Sequence, residues 1–350
     1  MTEETLPIID LKDFIKKDSS QADRNLVAND ISVACKEHGF FYIKGHGIEQ
    51  ELIDRLDSLS RVFFKLPQEV KMELKMESGG RAWRGFFPLG GELTSNMPDW
   101  KEGLYLGTEL QDDHPDVQKE LPMHGKNLFF SSEQREKELG IEGFRSTILQ
   151  YIEAVTNLGH VVMEAIAISL GLAPDYFSSK YTKDPLILFR IFNYPSQPIP
   201  EGLDVQWGVG EHTDYGMLTI LSQDDIGGLQ VCSQKNGQRV WIQAPPIKGT
   251  FVCNIGDMLD RMTGGLYRST PHRVKLNTSG RDRISFPLFF DPNFCSFVKP
   301  IDNLPKVENQ DDSNTRWDHA NVHMFTGTYG EYLLNKVGKV FPQLKTINQF

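Results

Sequence analysis

From about Leu186 onward the apolar residues of this chain fall into short runs, and that texture limits the fold more than any other feature. Leu186 to Phe192, Met217 to Leu221, Leu229 to Val231, Thr250 to Cys253 and Ile284 to Phe290 are β-branched or aromatic, and Gly, Pro, Asn and Asp separate them. Many short strands with turn chemistry between them predict a sandwich, jelly roll or barrel and argue against a doubly wound parallel sheet. The first half reads as helices. Leu26, Val27, Ile31 and Ala34 recur at helical spacing, with Gly39 placed to stop them. Phe40 to Ile43 is a short buried-strand candidate. Ile53, Leu56, Leu59, Val62 and Phe63 repeat the helical pattern up to Pro67. A longer helix is predicted from Phe144 to Leu170, with Ile148, Ile152, Val155, Val162 and Ile166 on one stripe, and a last one around Tyr329 to Val337. The expected fold is a mainly β core with flanking α-helices.

Chemistry concentrates in two segments of that core. Gly210-Glu211-His212-Thr213-Asp214-Tyr215-Gly216 opens a predicted strand, where residues two apart share a face, so His212 and Asp214 can converge. An imidazole and a carboxylate on one face are two-thirds of the facial triad that leaves positions open on non-haem Fe(II). Taken alone, the pair fits a hydrogen-bonded structural histidine equally well. The second segment carries His272 in Ser269-Thr270-Pro271-His272-Arg273-Val274, followed by Arg283-Ile284-Ser285. Arg283 and Ser285 again share a face. A guanidinium buried beside a hydroxyl on an apolar strand needs an anion, either an internal carboxylate or a ligand held bidentately.

The ordered set His212-x-Asp214, His272 and Arg283-x-Ser285 resembles the Fe(II)/2-oxoglutarate-dependent dioxygenase superfamily, in its isopenicillin N synthase-like branch. Leu6-Pro7-Ile8-Ile9-Asp10, His38-Gly39-Phe40-Phe41-Tyr42-Ile43 and Gly45-His46-Gly47-Ile48 look like the family's amino-terminal region, and Gly227-Gly228-Leu229-Gln230-Val231, Asn254-Ile255-Gly256-Asp257 and Asp291-Pro292-Asn293 like its core landmarks. The resemblance implies a double-stranded β-helix, a cupin-like jelly roll, with long helices buttressing one sheet. It implies one catalytic domain over 1–350, with an amino-terminal region to about 120, a jelly-roll core over about 180–300 and a helical tail over 301–350. By the same resemblance His212, Asp214 and His272 ligate Fe(II), Arg283 and Ser285 hold the distal carboxylate of 2-oxoglutarate with Tyr194 in support, and O2 is the oxidant, with ascorbate as a reductant in vitro. Trp83, Arg84, Phe86, Tyr215 and Phe290 are the expected substrate contacts. The implied reaction oxidises a small metabolite, most simply by hydroxylation, while 2-oxoglutarate yields succinate and CO2. An oxidase of the same fold that uses no 2-oxoglutarate, and a ligand-binding jelly roll without catalysis, are the alternatives.

Thirty-seven basic residues against 47 acidic ones leave a formal charge of −10, which argues against nucleic acid or an anionic membrane as partner. Met1 to Asp10 has no basic-then-apolar leader pattern, and no later stretch reads as apolar enough to span a bilayer. Cys35, Cys232, Cys253 and Cys295 are widely spaced and form no Cys-x-x-Cys pair. A soluble enzyme of the reducing cytoplasm, acting on a small molecule, is expected, and its oligomeric state is not legible. Asp99, Lys101 and Glu102 read as a solvated charged stretch; His38, His46, His124, His160, His319 and His323 read as structural or surface histidines.

Overall fold

The computed structural model describes residues 5–94, 97–196, 207–235, 238–308, 311, 313–316 and 318–340. Successive core strands alternate between two sheets. Leu186–Tyr194, Leu218–Gln223, Phe251–Ile255 and Arg283–Asp291 belong to an eight-stranded sheet. Val209–His212, the hairpin Leu229–Lys235 and Gln238–Gln243, and His272–Val274 form a four-stranded sheet. Side chains from both sheets line one cavity. This is the expected double-stranded β-helix, and its strands pair antiparallel throughout. The larger sheet is extended at both edges by earlier chain. On one side Phe40–Lys44 pairs with Phe251–Ile255 and, in parallel, with Ile8–Asp10. On the other, Glu102–Gly107 pairs with Leu186–Tyr194, and Gly85–Phe87 pairs with Glu102–Gly107.

Helices cover the outer face of that sheet. Gln21–Glu37 begins at Ser20, whose hydroxyl accepts from the Asp23 backbone N–H in a reciprocal capping box. Gly39 ends the segment at φ +65°, and a Cβ there would lie 2.3 Å from the Arg268 carbonyl oxygen, so only glycine fits. That contact matters for the site. Thr270 Oγ1 also donates to His38 O at 2.7 Å, so the helix end pins the loop entering the His272 strand. Gln50–Lys65 and Phe144–Ser169 complete the layer, and Ile148, Ile152, Val155, Val162 and Ile166 are buried as their spacing predicted. Phe144–Ser169 is, by length and composition, apolar enough to cross a membrane, contrary to the sequence expectation. Its long buried stripe explains the composition: it is the helix against which the jelly roll packs. Cys35, Cys232 and Cys253 are buried free thiols and Cys295 an exposed one.

The carboxy-terminal part is anchored by buried charge. Arg316 Nη1 donates to Asp257 Oδ1 at 2.6 Å and to Thr213 Oγ1 at 3.2 Å, and Tyr332 Oη donates to Asp257 Oδ2 at 2.7 Å. Lys336 Nζ pairs with Asp318 at 2.6 Å. Burial alone would push the Asp257 carboxyl up, but Arg316 and Lys336 outweigh it and hold the group below the usual carboxylate range. The helix Tyr329–Val340, docked this way, turns Tyr329, Leu333, Val337 and Val340 to the cavity. Arg316→Met strands a buried carboxylate, so unfolding in urea should show a loss of about 3–5 kcal/mol. A loss below about 1 kcal/mol would show that the pair is not what holds the tail.

Candidate functional site

His212 ends its strand, so strand periodicity does not place Asp214, as the sequence reading assumed; Asp214 lies in the turn beyond. His272 stands directly opposite His212 in the antiparallel pair, with ring centroids 4.2 Å apart. Each histidine Nε2 is 3.7 Å from Asp214 Oδ1, and one ligand atom from each of the three residues lies within 4.8 Å of the others. Neighbouring groups set the donor atoms. The Nδ1 of His212 faces Gly210 O at 2.8 Å and that of His272 faces Thr270 O at 3.2 Å, which turns both Nε2 lone pairs inward. Asp214 Oδ2 accepts from Thr219 Oγ1 at 2.5 Å and Asn254 Nδ2 at 2.7 Å, leaving Oδ1 for a cation. Burial, and then the His212 imidazole, push His272 down to about 4, so it is neutral and ready to ligate at pH 7.

A few residues along the adjacent sheet, Arg283, Ser285, Pro287, Phe289 and Asp291 alternate into the same cavity, which has a volume of about 150 Å³. Arg283 is 2% exposed. Its Nη2 donates to Gln223 Oε1 at 3.1 Å, while Nε and Nη1 are buried without a hydrogen-bond partner. Tyr194, its cross-strand neighbour, lies under the guanidinium at 4.7 Å. A buried guanidinium with two idle N–H groups beside the Ser285 hydroxyl is a receptor for a carboxylate.

Of the five expected substrate contacts, Trp83 and Tyr215 line the cavity and three residues do not. Arg84 is buried behind the wall, donating to Leu106 O at 2.9 Å and Met123 O at 3.0 Å, so it ties two segments of chain together. Phe86 packs in the helix layer against Phe63, and Lys71 sits over its ring. Phe290 meets His160 and Gly159 on the opposite face of its strand. Strand parity alone excluded it: with Arg283 and Ser285 inward, Phe289 is the aromatic that faces the cavity. Asp99, Lys101 and Glu102 are each buried. Lys101 pairs with Asp99 and with Glu92 at 2.9 Å, and Glu102 with Lys71 at 2.6 Å. Glu92, Thr94, Lys101, Tyr105, Arg190 and Asp291 also line the cavity and were missed. Gly216 admits Asp291, since a Cβ there would lie 1.4 Å from Asp291 Oδ1.

Family models match most of both halves of the chain: residues 6–132 match the amino-terminal region described as that of a non-haem dioxygenase in morphine synthesis, and residues 183–292 match the 2OG-Fe(II) oxygenase superfamily. A protein of Dictyostelium discoideum named as a probable iron/ascorbate oxidoreductase is 63% identical, covering 99% of this chain and 97% of its own. The chain belongs to the 2OG-Fe(II) oxygenase superfamily. A 1-aminocyclopropane-1-carboxylate oxidase of Dictyostelium discoideum is 46% identical over 97% of this chain and 96% of its own. Among solved structures, a full-length Neurospora crassa protein in complex with alpha-KG (2-oxoglutarate) superposes with a TM-score of 0.74 at 29% identity, covering 95% of this chain and 96% of that one.

The oxygenase's iron and keto acid suit the groups found. A nitrogen, nitrogen and carboxylate-oxygen donor set with second partners on its outer atoms suits Fe(II), and the idle N–H groups of Arg283 suit the distal carboxylate of 2-oxoglutarate. The depressed His272 has a thermodynamic consequence for the metal-free protein. Unfolded chain takes up a proton near pH 6.5 that folded His272 refuses until about 4, so stability is lost as pH falls through that interval. Asp291, pushed up to about 7 chiefly by burial, works the other way: its contribution is full below the unfolded value and fades as pH rises toward 7. The difference between wild type and His272→Asn isolates the first effect. Between pH 7 and 4.5 the wild type should lose roughly 2–3 kcal/mol more than the variant in metal-free denaturation; parallel pH profiles would contradict the buried neutral imidazole.

Proposed function

We propose that this oxygenase hydroxylates a small, amino-acid-sized metabolite, with His212, Asp214 and His272 holding Fe(II) and Arg283, Ser285 and Tyr194 holding 2-oxoglutarate. The observation that carries the residue assignment is the pairing of a converged His–Asp–His set with a buried, half-satisfied guanidinium in one cavity. Iron and 2-oxoglutarate together supply dioxygen activation, the keto acid leaving as succinate and CO2 while one oxygen atom goes to the substrate. The chain's own residues bind, orient and keep water out. Thr219 and Asn254 hold one oxygen of Asp214 so that the other keeps its aim. Gln223 fixes the plane of Arg283. Leu188, Phe192, Leu221, Pro287 and Phe289 supply apolar wall around these polar groups, which strengthens each interaction made inside it. The name of one relative, an oxidase of 1-aminocyclopropane-1-carboxylate, supports an amino acid as the class of substrate.

Succinate release tests the reading. Protein supplied with Fe(II), ascorbate, 2-oxoglutarate and air, and challenged with a panel of amino acids, should form succinate above background with at least one of them. Arg283→Gln should raise KM for 2-oxoglutarate at least tenfold, which corresponds to about 1.4 kcal/mol of lost carboxylate binding, while leaving Fe(II) affinity within about twofold. Asp214→Ala should abolish both iron binding and succinate. Oxygen uptake with a substrate but no succinate would favour an oxidase that needs no keto acid, and an unchanged KM in Arg283→Gln would remove the carboxylate from that arginine.

A further inference from the structure

The helix Asp257–Thr263 buries every one of its residues, including two aspartates that lie outside the metal and keto-acid groups. Asp257 and Asp260 stand three apart, so they share a face of the helix, and both are 0% exposed. Carboxylates buried this deeply need partners, and these two draw theirs from separate stretches of chain. Asp257 takes the tail's Arg316 and Tyr332 on its two oxygens, while its backbone N–H donates to Asp214 O at 2.8 Å. The next residue, Met258, donates to Gly216 O at 2.9 Å. Asp260 Oδ2 accepts from the Ser269 backbone N–H at 2.9 Å, with Arg316 Nη2 3.5 Å away. Its Oδ1 lies 3.2 Å from His323 Nε2, again in the tail.

One short helix therefore joins both segments that carry the His–Asp–His set to the tail that walls the cavity. Arg316 closes the circuit, since the Nη1 that donates to Asp257 also reaches Thr213 Oγ1 at 3.2 Å, between His212 and Asp214. On the other side Ser269 precedes Thr270, whose carbonyl faces His272 Nδ1 at 3.2 Å and sets the orientation of that ring. Measured against well-packed apolar side chains, a buried ion pair is a weak source of stability, and fixing geometry is the use that remains for it.

We propose that Arg316 and Asp260 are positioning residues that couple occupancy of the metal site to docking of the tail. This rests on the ligand assignment made above. Metal held by His212, Asp214 and His272 fixes Thr213 and Ser269, and through them Arg316, Asp260 and the helix Tyr329–Val340. A displaced tail in turn releases Thr213 and the Ser269 loop, and the three donors lose their mutual spacing. Such coupling is reciprocal, so whatever factor the docked tail adds to metal affinity, the metal adds to tail docking. Tyr329, Leu333, Val337 and Val340 line the cavity, so its outer wall is firm only in protein that has already taken up metal.

Anaerobic calorimetry with Fe(II) on the full chain reads the coupling without turnover, in buffer where circular dichroism shows each variant folded. Arg316→Met should bind Fe(II) about tenfold or more weakly than wild type, and Arg316→Lys should recover part of the loss. Thr213→Val and Asp260→Asn leave the Arg316–Asp257 pair in place; each should weaken binding about threefold or more, and they decide the matter if Arg316→Met does not fold. Added to Arg316→Met, Thr213→Val should cost nothing further, because its partner is already gone. Reciprocally, Fe(II) should slow amide exchange along Tyr329–Val340 about fivefold or more in wild type. A merely structural salt bridge lowers stability and leaves the affinity of folded protein untouched. Wild-type affinity in the folded variants, a full effect of Thr213→Val without Arg316, or tail exchange indifferent to Fe(II) would each overturn the coupling. Wild type that binds no Fe(II), or binds it equally after Asp214→Ala, is a separate result and removes the ligand assignment beneath.

Discussion

One carboxylate joins the two sheets of this protein. Asp214 leaves the end of the smaller sheet, yet its Oδ2 is gripped by Thr219 and Asn254 from two neighbouring strands of the larger one. Its Oδ1 faces histidines on two strands of the smaller sheet. Four chain segments meet at a group that cannot be buried as an anion without partners. Iron bound as proposed would complete its surroundings; in the metal-free protein the depressed His272 and the hydrogen bonds to Oδ2 carry the cost. The fold and the metal site are in this sense one arrangement. A shift between the sheets changes the distances among the three donors, and a lost donor leaves charge stranded between the sheets.

The same logic runs along the cavity away from the metal. Charges there are not scattered; each cation is fixed by more than one acceptor, and that fixing is how a dry pocket keeps polar side chains aimed. Arg283 departs from the pattern, with Nε and Nη1 idle, and the Trp83 indole N–H departs from it in a smaller way. Unsatisfied buried groups cost stability in the empty protein. They persist at functional positions because a ligand meets the need, which makes them better guides to a binding site than the size of the cavity.

Much of this was legible in the residues, and the failures share a cause. Strand positions, the long buttressing helix and the inward facing of Arg283 and Ser285 follow from periodicities of two and 3.6, which local sequence expresses directly. The convergence of His272 on His212 does not: it is a register fact about two distant strands, reached only through resemblance. Asp99, Lys101 and Glu102 looked solvated because charged residues usually are, yet each is neutralised by a partner that no spacing reveals, Glu92 and Lys71 among them. Arg84 misled for the same reason, since its acceptors are backbone carbonyls of Leu106 and Met123. Phe290 was an avoidable error, decided by parity already in hand.

Where specificity resides follows from which parts are tied to the metal and which are not. His212, His272, Arg283 and Ser285 sit on strands locked by sheet hydrogen bonds. The outer wall is built from the segment carrying Trp83, Glu92, Lys101 and Tyr105 and from the tail helix carrying Tyr329, Leu333 and Val337. The first joins the edge of the larger sheet through Glu102–Gly107, the tail attaches through the Arg316–Asp257 ion pair, and neither contributes a strand to the four-stranded sheet that bears the histidines. Residues on these segments can change without moving a metal ligand, so the same chemistry can be turned on a different C–H bond. Arg316 also holds Thr213, the residue between His212 and Asp214, so loosening the tail opens the pocket and frees that stretch together.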